Sequence, residues 1–200
     1  MRSSAPRPKH LPSPATATWP VKVAPSGPGF PNENNLRLFN TLIYAAEERL
    51  SITSPYFVPD ESLLYAITTA AQRGVSVELF VSEIADQFMV DHAQKSYDTA
   101  LLEAGVRIMM YGAPAILHAK HFSLDDQVAV IGSSNMDIRS FALDFEVSVL
   151  DVGDDVVRRV REVEDDYRLR SRELTLAEWR RRPIPKRYVD NVMRLTSALQ

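Results

Sequence analysis

The 200-residue chain has no cysteine, which removes disulfides and thiolate metal sites and fits a reducing compartment. Long apolar runs are also missing. No window approaches the roughly 20 apolar residues that a membrane-spanning helix requires, so the chain by itself reads as no integral membrane protein. Nor is one sign of charge in large excess: 23 basic against 26 acidic residues leave a formal charge of −3, which argues against strong overall attraction to nucleic acid while allowing a local basic patch. What is present, 45% hydrophobic and 24% charged residues, has the proportions of a globular domain with a core.

Residues 1–20 are rich in Pro, Ser, Ala and Thr, without the apolar run of a secretory signal, and read as a flexible leader. From there extended and helical patterns alternate. "VKVAPSG" reads as a strand, and Leu36, Phe39, Leu42, Ile43 and Ala46 follow at helical spacing. "LSITSPYF" is extended, and "PDESLLYAITTAAQRG" is a helix with Asp60 placed to cap it and Gly74 to end it. "VSVELFVS" is a buried strand, "DHAQKSYDTALLEAG" a helix ending at Gly105, and "VRIMMYG" a strand. The rhythm predicts an α/β fold, a mixed and largely parallel sheet flanked by helices on both faces. "LHAKHFSL" and "QVAVIGS", separated by Asp125 and Asp126, predict an antiparallel hairpin, "FEVSVLDV" a last strand, and residues 154–170 a charged helix. The expected organisation is a leader (1–20), a catalytic domain (21–172) and a basic amphipathic helical tail (173–200).

The hairpin carries the chemistry. On a strand His118 and Lys120 project from one face, with His121 on the other. A permanent cation beside an imidazole suits phosphate, the lysine neutralising non-bridging oxygens while the histidine attacks phosphorus or transfers a proton. Gly132 permits a tight turn, and Ser133 and Asn135 offer polar groups to a phosphate cradle or to the hairpin itself. Glu146 sits in an apolar strand and needs a partner, for which the His118 ring is the natural choice. Tyr56, Phe57 and Asp60 are placed either to line a groove or simply to pack and cap.

His118-Ala119-Lys120, then Asp125, then Gly132-Ser133-Ser134-Asn135 resembles the "HKD" signature of the phospholipase D superfamily. More narrowly, "SPYFVPDESLLYAI", "LLEAGVRI", "DIRSFALDFEVSVL" and "LAEWRRRP" resemble the C-terminal half of bacterial cardiolipin synthases, from about residue 20 to the end. The resemblance implies phosphatidyl transfer on phosphatidylglycerol through a phosphohistidine, without metal or other cofactor, at the cytoplasmic side of the inner membrane. It makes His118 nucleophile or general acid/base, Lys120, Ser133 and Asn135 phosphate ligands, Glu146 the group that orients His118, and Asp125 an organiser of the hairpin. His121 after Lys120 and Asp144 before the Phe-Glu pair depart from the usual pattern, and neither removes a catalytic group.

The superfamily's active site uses two such motifs, and this chain has one. His10 lies in the leader, and His92 has its lysine at the wrong spacing. A homodimer or a second chain is the expected repair, and a strand-rich face is expected to be exposed in the monomer. Two other functions share these residues: a homodimeric single-motif nuclease, which wants a basic groove, and an inactive half-domain that binds lipid or a partner. In the tail, "WRRRPIPKRY" reads either as a solvated basic helix end or, with Trp179 and Tyr188 beside it, as a contact for anionic headgroups.

Overall fold

The computed structural model describes residues 21–30, 33–84, 88–183, 190 and 192. The expected leader and most of the tail beyond residue 183 lie outside them. In chain order the elements are β1 (Lys22–Ser26), α1 (Asn34–Ala45), β2 (Arg49–Thr53), β3 (Phe57–Val58), α2 (Glu61–Gln72), β4 (Ser76–Ser82), α3 (Phe88–Lys95), α4 (Asp98–Ala104) and β5 (Arg107–Tyr111). There follow β6 (His121–Leu124), β7 (Val128–Gly132), β8 (Met136–Asp137), α5 (Ile138–Ala142), β9 (Glu146–Val152), α6 (Asp154–Leu169), β10 (Ser171–Leu174) and α7 (Leu176–Arg180).

Among the described residues one eight-stranded sheet runs β1-β9-β7-β6-β2-β4-β5-β10, and β3 pairs separately with β8. The α/β fold with helices on both faces is as expected. Its largely parallel character is not: only β2/β4 and β4/β5 are parallel, and the other five junctions are antiparallel. The connections explain this. Helix α2 and the α3–α4 pair each carry the chain back for a parallel crossover, whereas β6–β7 is a tight hairpin and β9 returns after one short helix. The single helix expected around residues 91–104 is two, interrupted at Ser96 and Tyr97.

Strand alternation divides the core. On one face Leu50, Ile52, Val77, Leu79, Ile108 and Phe122 pack with Phe39 and Ile43 of α1, Leu63 and Ile67 of α2, and Leu101 of α4. Asp60 caps α2, accepting from the Leu63 N–H at 2.9 Å, and Phe57 is fully buried, so packing and capping account for both. Tyr56 packs against the same core.

The opposite face is covered by α6 and is partly polar. Ala129 meets Val157 and Val160 of α6, while Phe80, Met109 and Tyr111 meet Tyr167. Between them lie two buried carboxylates. Glu78 pairs with Arg107 and Arg168, each at 2.6 Å. Glu164 accepts from the Ser123 hydroxyl at 2.9 Å and lies 3.8 Å from His121 Nε2. Farther along this face no described element covers the sheet: Val23, Ile131 and Val147 are 64%, 48% and 45% exposed. The register Val23↔Val149↔Ile131 places these apolar side chains on one side of β1, β9 and β7.

Past the hairpin the structure departs from the expected boundaries. β10 completes the sheet edge beside β5 and buries Leu174, so a division after residue 172 cuts through a strand. Trp179, expected to meet headgroups, belongs to the core instead. Its indole donates to Thr99 Oγ1 at 2.9 Å and Arg182 stacks on its ring. A buried amphipathic ring with its N–H satisfied offers little to a membrane. Tyr188 lies outside the described residues.

Candidate active site

The hairpin forms at its predicted place, and its turn rests on Asp125. This residue adopts φ 47°, a left-handed conformation that Asp tolerates better than most side chains. Its carboxylate accepts three backbone N–H groups, from Glu47 at 3.1 Å, Glu48 at 2.8 Å and Arg49 at 2.9 Å. Burial pushes its pKa up, and these donors more than reverse that, holding it below the ordinary value. Asp125 therefore ties the hairpin to the start of β2, at the end of β6 remote from His118. It is an anchor, with no place beside His118 and Lys120.

His118 and Lys120 precede β6 rather than lying within it. The ladder nonetheless reaches Lys120, whose carbonyl accepts from the Gly132 N–H at 3.0 Å. A residue unmarked by the sequence pattern fixes the preceding turn: Ser82 at the end of β4 accepts from the Leu117 N–H at 2.8 Å and donates to its carbonyl at 3.2 Å. Leu117 is thereby buried and His118 left exposed. The Lys120 ammonium donates to the His118 carbonyl at 3.0 Å and stands 3.1 Å from His118 Nδ1. Burial lowers the lysine's pKa, and the Glu146 and Asp137 carboxylates oppose that. A cation, an imidazole and two carboxylates thus share the mouth of the hairpin.

Gly132 serves close approach rather than a special backbone conformation. A Cβ there would lie 2.6 Å from the Val147 carbonyl oxygen and 2.8 Å from Ser148 Oγ. That approach lets Ser133 bridge to β9: its N–H donates to the Val147 carbonyl at 3.0 Å, and its Oγ accepts from the Val147 N–H at 3.0 Å. The same hydroxyl donates to Glu146. The expected Glu146–His118 bond is therefore replaced by Glu146–Ser133, and His118 Nδ1 faces Lys120. The reason is positional, since Ser133 lies directly across the β7–β9 junction while His118 sits on a segment beyond the end of β6.

Asn135 is braced from behind. Its N–H donates to Ser140 Oγ at 3.2 Å, and the next N–H, of Met136, donates to Ser54 Oγ at 3.1 Å. The following residue, Asp137, caps α5 by accepting from the Ser140 N–H at 2.7 Å. Burial raises the Asp137 pKa, against hydrogen bonds from Ser140 and an approach of the Asn135 amide. Neither Ser140 nor Asp137 was singled out by the sequence reading. The signal present was the capping pattern Asp-x-x-Ser, which is common and carries no chemistry by itself.

His121 points to the far side, as its alternation requires, under α6. There burial lowers it to about 4, and burial raises Glu164 to about 7 against its Ser123 hydrogen bond.

Fold and site together define a mixed-sheet α/β domain with a histidine–lysine pair at the mouth of a hairpin. Residues 39–166 match the family described as cardiolipin synthase, PLD-like domain. The chain belongs to this phospholipase D-like family. It is 41% identical over 179 residues to cardiolipin synthase A of Serratia proteamaculans, and 39% identical over 179 residues to that of Proteus mirabilis. Those matches cover 90% of this chain and 37% of each relative, so the chain spans little more than a third of their length. Among solved structures, the phospholipase D family member Nuc of Salmonella typhimurium is similar at TM-score 0.67 and 19% identity, over 78% of this chain and 97% of that one. Phosphatidylserine synthase of Haemophilus influenzae is similar at TM-score 0.70 and 18% identity, over 90% of this chain and 48% of that one. A similar fold thus makes up nearly all of one neighbour and about half of the other.

Proposed function

We propose that this domain is one catalytic half of a phosphatidyltransferase of cardiolipin synthase type, acting on phosphatidylglycerol-like diesters. A His118 ring nitrogen attacks phosphorus and the P–O bond to glycerol breaks, the departing oxygen taking a proton from a second imidazole. A hydroxyl of a second phosphatidylglycerol then attacks the phosphohistidine. Its proton passes to the second imidazole, the P–N bond breaks, and His118 is restored. Lys120 and Asn135, with Ser133 beside them, bind the phosphate oxygens. Once Lys120 has turned to the phosphate, the ring takes the Nδ1–H tautomer, held by donation from Nδ1 to the Glu146 carboxylate, and the bare Nε2 attacks.

The observation that supports this most directly is the Lys120 ammonium 3.1 Å from His118 Nδ1 at an exposed mouth. An anionic diester pairs better with that ammonium than an imidazole does, so substrate arrival frees the ring for attack. The acid that protonates the leaving oxygen comes from a second copy or a separate half. The uncovered apolar face of β1, β9 and β7 favours such a mate, because monomeric proteins rarely leave contiguous patches of this kind bare. The lipid substrate requires the domain to work at a bilayer surface, and we place it peripherally on the cytoplasmic face of the inner membrane. Among the described residues no helix is long and apolar enough to cross a membrane.

Turnover on phosphatidylglycerol vesicles, measured beside solution mass by light scattering, tests the proposal. His118→Ala and Lys120→Ala should each lower turnover by roughly 10³-fold with unchanged thermal unfolding. Turnover retained in both variants would refute the assignment.

A further inference from the structure

Two buried hydroxyls that the chemistry above does not use sit at the ends of neighbouring strands. Ser82 is the last residue of β4, and Ser54 directly follows β2. They are 8% and 1% exposed. Because β2 and β4 pair in parallel, both serines lie at the carboxyl end of that pair, where α/β sheets place their ligands. The Ser54 N–H donates to the Phe80 carbonyl at 3.2 Å, which locks the two strand ends together. Each hydroxyl both accepts and donates. Ser82 Oγ accepts from the Leu117 N–H at 2.8 Å and donates to the Leu117 carbonyl at 3.2 Å. Ser54 Oγ accepts from the Met136 N–H at 3.1 Å and donates to the Tyr56 carbonyl at 2.5 Å.

The residues they hold adjoin the site. Leu117 precedes His118, in a stretch from Gly112 to Lys120 without helix or strand, and Met136 follows Asn135. A peptide group is planar, so pinning the Leu117 carbonyl fixes the plane that carries the His118 Cα. Pinning the Met136 N–H likewise fixes the plane that carries the Asn135 Cα. We propose that Ser82 and Ser54 are positioning residues for separate arms of the site, Ser82 aiming the His118 ring and Ser54 holding the Asn135 amide towards phosphate. These roles rest on the reading above, in which His118 attacks phosphorus and Asn135 binds its oxygens. The locked ends of β2 and β4 are then the shared platform that sets the distance from nucleophile to phosphate ligand.

The two arms should separate in kinetics that need no second imidazole. Phosphoramidate brings its own leaving group: a His118 nitrogen forms a bond to phosphorus, the P–N bond of the reagent breaks, and ammonia departs with the three protons it already holds. The experiment follows phosphohistidine at residue 118 of the full chain against phosphoramidate concentration, resolved by peptide mass spectrometry. Ser82→Ala should lower the saturating rate about tenfold and leave the half-saturating concentration within about twofold, because a misaimed ring attacks slowly while the phosphate ligands are untouched. Ser54→Ala should raise the half-saturating concentration about fivefold at an unchanged saturating rate, the size of one weakened hydrogen bond. Thermal unfolding is recorded in parallel and the kinetics are measured where each variant is fully folded, so a hydroxyl that only stabilised the fold would leave both quantities at wild-type values. Lys120→Ala should abolish the reaction in every background.

A wild-type profile in either alanine variant, with Lys120→Ala still abolishing the reaction, overturns the role of that serine alone. The same change in both variants overturns the separation of the arms. Absence of phosphohistidine at residue 118 in the wild type, or a rate indifferent to Lys120→Ala, overturns the reading of the site and this inference with it. Should an alanine variant fail to fold, Ser82→Cys and Ser54→Cys keep the shape of the side chain with a much weaker hydrogen bond. A wild-type saturating rate in Ser82→Cys, or a wild-type half-saturating concentration in Ser54→Cys, would count against the corresponding role.

Discussion

His121 and Glu164 illustrate how one residue's environment reverses its ordinary chemistry. Glu164 at about 7 in the folded chain, against an ordinary 4.5, holds its proton more tightly than in the unfolded chain. By itself it makes stability fall as pH rises from about 4.5 to 7. His121 at about 4, against an ordinary 6.5, makes stability fall as pH drops from 6.5 to 4. The slopes oppose each other, so the wild-type chain should be nearly level where the ranges overlap. Glu164→Gln should expose the histidine slope, with stability lost towards acid. His121→Gln should expose the glutamate slope, with stability lost towards neutral pH. Each loss should be on the order of 3 kcal/mol, and denaturation at a series of pH values checks it. Level profiles in both single variants would show that the pair is not coupled in this way. The sequence marked His121 as facing away from the site, but not the helix that buries it, because Glu164 lies 43 positions later in a run of charged residues.

Among the elements, the β6–β7 hairpin and its seam with β9 carry the site. Their critical contact is the approach of Gly132 to the Val147 carbonyl. Gly132→Ala would place a methyl 2.6 Å from that backbone oxygen, which no rotamer change relieves. We expect a loss of about 2 kcal/mol and a displaced Ser133, observable as a lowered unfolding temperature and weakened phosphate binding. Wild-type stability in that variant would mean that the seam yields. The hairpin was legible beforehand because two extended runs flank a short polar turn. β8, α5 and β10 were not, since elements of two to five residues carry too few periods to register. Their positions come from partners distant in sequence, β3 for β8 and β5 for β10.

For the whole molecule, the half-covered rear face of the sheet matters most. Helix α6 shields its centre, and no other described element covers this side of β1, β9 and part of β7. Ile131→Glu, at a side chain 48% exposed on that face, should leave folding intact while shifting any dimer towards monomer and reducing turnover in proportion. Light scattering over a range of concentrations measures this. A wild-type chain that is monomeric throughout, yet active alone, would contradict the expected mate.

The sequence by itself determined the family, the alternation of strands and helices, and the identity of the cation, imidazole and amide at the site. Those depend on residue types at short fixed spacings, which local geometry converts directly into a shared face or a turn. Only the tertiary structure decided that the sheet is mostly antiparallel, that Asp125 binds the start of β2, that Glu146 bonds Ser133, and that Asn135 and Asp137 share Ser140. The first three depend on which distant segments become neighbours across the sheet. That choice is made by burial of whole faces, a property of the packed chain that no local spacing contains.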